Sequence, residues 1–229
     1  MAKPGTGDTL EQRARKVLRD SFTGKKSNAN PRAIIMAGPQ GSGKSTKAKA
    51  LLRKEVNFVY INPDSTLIAL NGGRRRLPDN DPDVFNSSQE LTERVVEHAI
   101  ANKFNVCLDT SIPAPSVLTK MKDKGYSITF VVMTTPPELA RKREVHRDLT
   151  QLNWGRAGIN SVAQAATATE IARSLPQTIT RFADSVVTCQ NAGSVMSCTD
   201  DSRIRPDAKG PNVSIRARQK RLMWLPHLA

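Results

Sequence analysis

The sequence predicts an α/β fold in which a five-stranded parallel sheet is covered by helices on both faces. Short apolar segments recur along the chain, and segments with helix-start signals or helical periodicity lie between them. This alternation is typical of parallel strands that are joined by helical crossovers. The predicted strands span Arg32–Ala37, Asn57–Asn62, Asn105–Asp109, Ser127–Met133 and Ser185–Cys189.

The predicted helices are recognised by signals at their ends. Ser87 begins the longest one and is followed by a glutamate in the first turn, as a capping box requires. Pro137 starts a later helix, because a proline at the first helical position loses no hydrogen bond. The predicted helical segments are Leu10–Phe22, Thr46–Lys54, Ser87–Lys103, Pro115–Lys124, one that starts at Pro136/Pro137, and Ser161–Leu175.

The chain of 229 residues divides into three predicted parts. Residues 1–30 form an N-terminal helical extension with a polar linker, residues 31–195 form the α/β domain, and residues 196–229 form a basic tail. The net charge is +14, and from Arg203 onward seven basic residues stand against Asp207 alone. Such charge suits a polyanion, a nucleic acid or an acidic protein as partner, whereas a solvated tail accounts for it equally well.

A phosphate-binding loop follows the first predicted strand. Residues 38–45 match the pattern GxxxxGK[ST], with a strand before them and a helix after them. In such a loop the backbone N–H groups point at phosphate oxygens, Lys44 reaches the β- and γ-phosphates, and Ser45 ligates Mg²⁺. The predicted ATP-binding residues are Gly38, Gln40, Gly41, Ser42, Gly43, Lys44, Ser45 and Thr46. We therefore expect a P-loop NTPase fold with strand order 2-3-1-4-5 that binds ATP or GTP together with Mg²⁺.

A dinucleotide-binding loop is the alternative interpretation of the same residues. Gly41 and Gly43 can open a GxGxxG pattern, and Asp64 lies at the usual distance for an acid that binds a ribose. Thr46 stands where the third glycine belongs, and the Lys-Ser pair has no role in such a loop. The phosphate loop is therefore favoured.

Polar residues follow the carboxyl ends of the predicted strands, which is where parallel α/β sheets bind ligands. Asp64 follows strand two, Asp109 ends strand three, and arginines that include Arg147 follow strand four. A phosphotransferase needs a phosphate cradle, a base, a partner for Mg²⁺ and cations for the transferring phosphoryl group. The sequence therefore predicts a kinase in which Lys44 is catalytic and Ser45 and Asp109 ligate Mg²⁺.

Cysteine usage and hydropathy favour a cytoplasmic protein. Cys107, Cys189 and Cys198 are an odd number without metal-ligand spacing, so neither a disulfide framework nor a zinc site is predicted. No apolar run reaches the ~18 residues that a membrane span requires, so no membrane partner is expected. The first residues lack the apolar core of a secretory signal, which leaves secretion without a cleaved signal as the alternative.

Several further segments carry a resemblance to a known family. They are Ala37–Ser45, Tyr60–Asp64, Lys124–Tyr126, Pro137–Leu139, Gly155–Arg156 and Ser174–Pro176. On these segments, from about Pro31 to Gly193, the chain resembles the zeta toxins, P-loop kinases that form the toxin half of bacterial toxin–antitoxin systems. The resemblance implies phosphorylation of UDP-N-acetylglucosamine on the 3′-hydroxyl of its amino sugar, a toxin role, and an acidic protein antitoxin or inhibitor as partner.

The resemblance also implies roles for single residues. Asp64 matches the base that takes the proton of the acceptor hydroxyl. Arg147 and Arg156 match lid arginines that contact the nucleotide phosphates, and Glu93 matches an acceptor-binding glutamate. For each of these residues a helix cap or an ordinary surface charge is the structural alternative.

One segment departs from the family pattern. Asp109-Thr110-Ser111 stands where the family has Glu-Gly-Thr, and no arginine follows shortly after it. The resemblance places Asp109 and Ser111 at the acceptor pocket, so the departure bears on the identity of the acceptor.

The sequence thus predicts an ATP-dependent kinase of a nucleotide sugar or related nucleotide. The alternatives are a kinase of a nucleoside, a dinucleotide, an antibiotic or a polynucleotide 5′-end, and a P-loop ATPase that binds nucleic acid through its tail. An aromatic content of 4% and the absence of a recognisable RNA- or DNA-binding motif weigh against nucleic acid as a partner.

Overall fold

The structure is a computed structural model that describes residues 8–73, 82–111, 113–150, 173–192 and 196–200. Its sheet has the order β2-β3-β1-β4-β5-β6. The strands are β1 (Arg32–Ala37), β2 (Val59–Ile61), β3 (Val106–Asp109), β4 (Ser127–Thr134), β5 (Ser185–Asn191) and β6 (Met196–Asp200). The first five pair in parallel, which confirms the predicted fold and the predicted order of these strands.

In the described residues the sheet has six strands, one more than was predicted. β6 pairs antiparallel with β5 and forms an edge of the sheet, within the segment that was predicted as a basic tail. Four of its five side chains are exposed. Because an exposed edge strand has no buried face, it shows none of the apolar alternation by which strands are recognised in a sequence.

The helices are α1 (Leu10–Phe22), α2 (Lys44–Leu52), α3 (Pro63–Leu70), α4 (Pro82–Ala101), α5 (Pro115–Asp123), α6 (Pro137–Thr150) and α7 (residues 173–182). α4 begins at Pro82 rather than Ser87. Most of the helix predicted for Ser161–Leu175 lies outside the described residues. Among the described helices, none has the length and apolar character that crossing a membrane requires.

The sheet separates two apolar cores. Neighbouring residues of β1 point to opposite faces, as in any strand, so Ile35 lies in the larger core and Met36 in the smaller one. The larger core packs against α1, α3, α4, α5 and α7, and the smaller one packs against α2. Helices therefore lie on both faces of the sheet, as predicted.

The N-terminal helix is part of the larger core. α1 begins at a capping box in which Gln12 N donates to Thr9 Oγ1 over 3.2 Å and Thr9 N donates to Gln12 Oε1 over 2.8 Å. Its apolar face, which includes Val17 and Phe22, packs with α3 and α4. The predicted extension thus contributes to the fold of the domain.

The prediction that the cysteines form no disulfide is wrong. β5 and β6 place Cys189 directly opposite Cys198, and the two are joined by a disulfide. Cys107 is buried and free, and burial raises the pKa of its thiol to about 12, with a further contribution from the charge of Asp109. The sequence gives no spacing signal for this pair, because the contact depends on an antiparallel register with an unpredicted strand.

Candidate functional site

At Gly38 and Gly41 the phosphate loop lies so close to β4 and α6 that only glycine fits. Gly38 and Gly41 adopt φ values of 134° and 71°. A Cβ atom at Gly41 would lie 2.5 Å from the backbone oxygen of Ala140 in α6, and one at Gly38 would overlap the backbone oxygen of Met133 in β4. Both the backbone conformation and the close approach therefore require glycine here.

Two side chains from distant elements brace the loop. Asn191, the last residue of β5, donates from Nδ2 to the Ser42 backbone oxygen over 3.0 Å. Arg143 of α6 donates to Asn191 Oδ1 over 3.0 Å and to the Gly41 backbone oxygen over 3.4 Å. A Cβ atom at Gly43 would lie 2.6 Å from Asn191 Nδ2. The brace therefore occupies the space that a side chain at position 43 would need.

The lysine of the motif bonds to its own loop. Lys44 Nζ donates to the backbone oxygens of Gly38 and Pro39 over 2.9 and 2.8 Å. Ser42 is fully buried, whereas the side chains of the remaining predicted ATP-binding residues, Gln40, Ser45 and Thr46, are exposed. α2 starts at Lys44 with Gly43 as its N-cap, so the first turn of the helix, whose backbone N–H groups have no acceptor within the helix, coincides with the end of the loop. This arrangement fits a bound phosphate chain.

An acid lies beside the loop at the carboxyl end of β3. Asp109 is 3% exposed, and its Oδ2 accepts hydrogen bonds from Tyr60 OH over 2.7 Å and from Asn62 Nδ2 over 2.8 Å. Burial and the charge of Asp109 raise the pKa of the Tyr60 phenol. Tyr60 therefore bonds directly to one of the two residues that were predicted to ligate Mg²⁺.

The donor set at this place fits Mg²⁺. The ion prefers oxygen ligands and is commonly held by one or two carboxylates together with substrate phosphates. Ser45 offers an exposed hydroxyl, and Asp109 offers a carboxylate. In the part of the chain that the structure describes, no three His, Cys, Asp or Glu side chains form a cluster that could hold a metal ion without a substrate.

Asp64 does not cap the helix on which it lies. α3 begins at Pro63 and is capped by Asn62, whose Oδ1 accepts from Ser65 N over 2.9 Å. Asp64 lies in the first turn, and its side chain is exposed. The helix cap that was the structural alternative for Asp64 is therefore supplied by Asn62 instead.

Comparison with known proteins decides the family. A profile of the zeta toxin family matches residues 15–200. The chain belongs to the zeta toxin family. It is similar to toxin PezT of Streptococcus pneumoniae serotype 4 (strain ATCC BAA-334 / TIGR4), with 26% identity over 133 residues that cover 54% of this chain. The match spans 52% of PezT, about half the length of that relative.

Several solved structures show the same fold. A structure from the PezAT chromosomal toxin–antitoxin system of Streptococcus pneumoniae has a TM-score of 0.62 at 18% identity and covers 93% of this chain and 95% of its own. The AvrRxo1-ORF1:AvrRxo1-ORF2 complex with sulphate ions has a TM-score of 0.62 at 14% identity, with 87% and 72% covered. The complex with ATP has a TM-score of 0.58 at 15% identity, with 85% and 68% covered. These similarities confirm the fold that was expected from the resemblance.

The other residues that match zeta toxin positions differ in how the structure relates them to the loop. The Ser111 backbone oxygen accepts from Gly38 N over 3.4 Å, so Ser111 adjoins the loop. Glu93 is exposed on α4, and within the described part of the chain it makes no hydrogen bond or ion pair with the loop or with Asp109. Arg147 lies in α6, but its side chain, like the whole of Arg156, is outside the described part. Their roles stay predictions.

Arg143 belongs to the arginines after strand four, which the sequence places at this edge, and Thr135, which donates to the Ser42 backbone oxygen over 3.3 Å, follows the same strand. Two other residues that shape this zeta toxin site were missed. Asn191 and Asn62 each stand at or just after the carboxyl end of a strand. Their position at that edge was the only available signal, because asparagine is common in turns and caps.

Proposed function

We propose that this zeta toxin family protein is a kinase that transfers the γ-phosphoryl group of ATP to a hydroxyl of a nucleotide sugar or a related nucleotide. One observation carries the proposal. The phosphate loop and the buried acid Asp109 meet at the carboxyl end of the sheet: Asp109 lies opposite Met36, two residues before the loop, and Gly38 N donates to the Ser111 backbone oxygen over 3.4 Å. The AvrRxo1 complex of the same fold was solved with ATP, which supports ATP as the donor.

Each residue has a task in this reaction. The backbone N–H groups of the loop and Lys44 bind the phosphate chain, and Ser45 with Asp109 would hold Mg²⁺. When bound, the ion neutralises charge on the phosphates. Asp64 accepts the proton of the acceptor hydroxyl as its oxygen bonds to the γ-phosphorus and ADP departs. General-base assistance of this kind is typically worth about 10²–10⁴ in rate.

The proposal also extends to the residues that contact the acceptor and to the protein partner. Glu93 and Ser111 are proposed to contact the acceptor, and Arg147 and Arg156 to cover the phosphates as a lid. The positive net charge of +14 suits an acidic antitoxin or inhibitor. The relative from the PezAT toxin–antitoxin system supports such a partner for this family. A nucleic acid is not favoured, and a toxin role follows from the family.

A cytoplasmic location is likewise proposed, as it was expected from the sequence. Disulfides are rare in reducing cytosol. Alkylation of free thiols in intact cells before lysis is therefore the test: a reduced Cys189 and Cys198 pair fits this location, and an intact disulfide contradicts it.

The test is ATP consumption by the full chain against a panel of nucleotide sugars, nucleosides and dinucleotides, with and without Mg²⁺. We expect turnover with a nucleotide sugar, dependence on Mg²⁺, and no activity in Lys44→Ala. A control substitution is Lys47→Ala, which removes a half-buried lysine one turn further along α2. A well-folded Lys44→Ala variant with near-normal ATP-dependent turnover would contradict the kinase proposal.

A further inference from the structure

The side chain of Asn62 makes two hydrogen bonds in two directions. Its Oδ1 accepts from Ser65 N over 2.9 Å, which caps α3, and its Nδ2 donates to Asp109 Oδ2 over 2.8 Å. Asn62 is 8% exposed and follows β2 directly. A single amide group therefore joins the helix that carries Asp64 to the carboxylate at the end of β3.

Tyr60 supplies the second bond to the same carboxylate oxygen. It lies two residues before Asn62, a spacing that places both side chains on one side of an extended chain, and its OH donates to Asp109 Oδ2 over 2.7 Å. Because both bonds end on Oδ2, they fix the carboxylate against rotation. No hydrogen bond from another described residue to Asp109 Oδ1 is present, so its lone pairs are available to a cation or to water.

These contacts exceed what a helix cap needs. A cap uses only the side-chain oxygen, and serine, aspartate or asparagine serves about equally well. The amide nitrogen is an additional donor, and it bonds to Asp109, the acid that the proposed function assigns to Mg²⁺. Groups that hydrogen-bond a metal ligand orient it, and their loss typically lowers metal affinity by about 10–100-fold.

We propose that Asn62 is a positioning residue that holds Asp109 and the first turn of α3 in a fixed relation, so that the Mg²⁺ ligand and the base Asp64 stay aligned. Tyr60 assists through its bond to the same oxygen. The inference rests on the proposed function and adds to it a residue that acts through Asp109 and α3. It predicts a defect in Mg²⁺ binding and turnover that loss of a cap does not produce.

The experiment replaces Asn62 by serine, which keeps a capping oxygen and removes the amide donor. Binding of a fluorescent ATP analogue to the full chain is titrated with Mg²⁺, and melting temperature and turnover are measured on the same preparation. We expect the Mg²⁺ midpoint to rise about tenfold or more, kcat to fall, and both the KM for ATP and the Mg²⁺-free affinity for the analogue to stay near normal.

A second pair of variants keeps the test decisive if Asn62→Ser folds poorly. Tyr60→Phe removes the other donor to Asp109 without touching the cap, and the same rise in the Mg²⁺ midpoint is expected. Tyr126→Phe is the matched control, because Tyr126 is the other tyrosine of the chain and donates to the backbone oxygens of Ala99 and Phe104 in the larger core. It should leave the Mg²⁺ midpoint unchanged.

The outcomes separate this inference from the proposed function. If the wild-type chain shows no Mg²⁺-dependent turnover of ATP, both are overturned. If wild type depends on Mg²⁺ and folded Asn62→Ser or Tyr60→Phe shows the same midpoint and kcat, the positioning role alone is overturned, and Asn62 is only the cap of α3.

Discussion

The two halves of the candidate site are built by different means. The loop half, residues 38–45, is shaped by its backbone: glycines approach the Met133 and Ala140 backbone oxygens, and Asn191 braces the chain. The acid half is shaped by side chains, because Tyr60 and Asn62 hold Asp109. Substitutions that add atoms at the glycines should therefore disrupt the loop half. Substitutions that remove a hydrogen-bond donor or a charge should disrupt the acid half.

The largest effect is expected in the acid half, at Asp64. Asp64→Asn should lower turnover by about 10²–10⁴ because the base is lost, while ATP affinity and melting temperature stay near normal because Asn62 caps α3. Asp83→Asn is the matched control, since Asp83 is also an exposed acid in the first turn of a helix. Equal turnover in the two variants would remove Asp64 from the mechanism.

The loop half is tested by a pair of glycines with the same positive φ angle. Gly41 and Gly24 both have φ of 71°, but a Cβ at Gly41 would lie 2.5 Å from the Ala140 backbone oxygen, whereas one at Gly24 would meet nothing within 4 Å. Gly24→Ala should therefore lower the free energy of unfolding by only about 1–2 kcal/mol.

Gly41→Ala adds overpacking to that cost and should lose about 2–5 kcal/mol in total, together with ATP binding. Denaturant unfolding and ATP titration of both variants measure the difference. Similar stability and similar ATP affinity in Gly41→Ala and Gly24→Ala would mean that the loop does not depend on the close approach of α6.

The hairpin of β5 and β6 carries Asn191, the brace of the loop half, and the disulfide joins its two strands. Cys198→Ser should lower the free energy of unfolding by about 2–3 kcal/mol, as expected for loss of a short disulfide-closed loop, with the acid half unaffected. Alkylation in denaturant followed by mass spectrometry should find one modified thiol without reductant and three with it. Three modified thiols in both samples would show that the pair is reduced in the isolated protein.

The smallest effect is expected for the brace itself. Asn191→Ala removes the donor to the Ser42 backbone oxygen and an acceptor of Arg143, which should cost about 1–3 kcal/mol of stability and weaken ATP binding several-fold. Asn102→Ala is the control, because Asn102 is exposed and donates only to the His98 backbone oxygen one turn earlier. It should change stability by no more than about 0.5 kcal/mol. Unchanged ATP affinity in Asn191→Ala would limit the brace to a structural role.

The sequence determined those features that depend on residues close together in the chain. The phosphate loop is one contiguous motif between a strand and a helix, and its glycines act through their own backbone angles. The five parallel strands are buried apolar segments, so their positions and the α/β class could be predicted. Even α1, predicted from its pattern at residues 10–22, has the same bounds in the structure.

Tertiary structure decided the contacts between residues far apart in the chain. Tyr60 and Asp109 are separated by 49 residues, and Ser42 and Asn191 by 149. Asparagine and tyrosine at strand ends have many possible partners, and the strand order and register choose one of them. The same reason explains β6 and its disulfide, because an exposed edge strand depends on its pairing with β5 rather than on an apolar pattern of its own. The sequence thus determined the chemical groups of the site, and the packing of the sheet determined which of them hold each other in place.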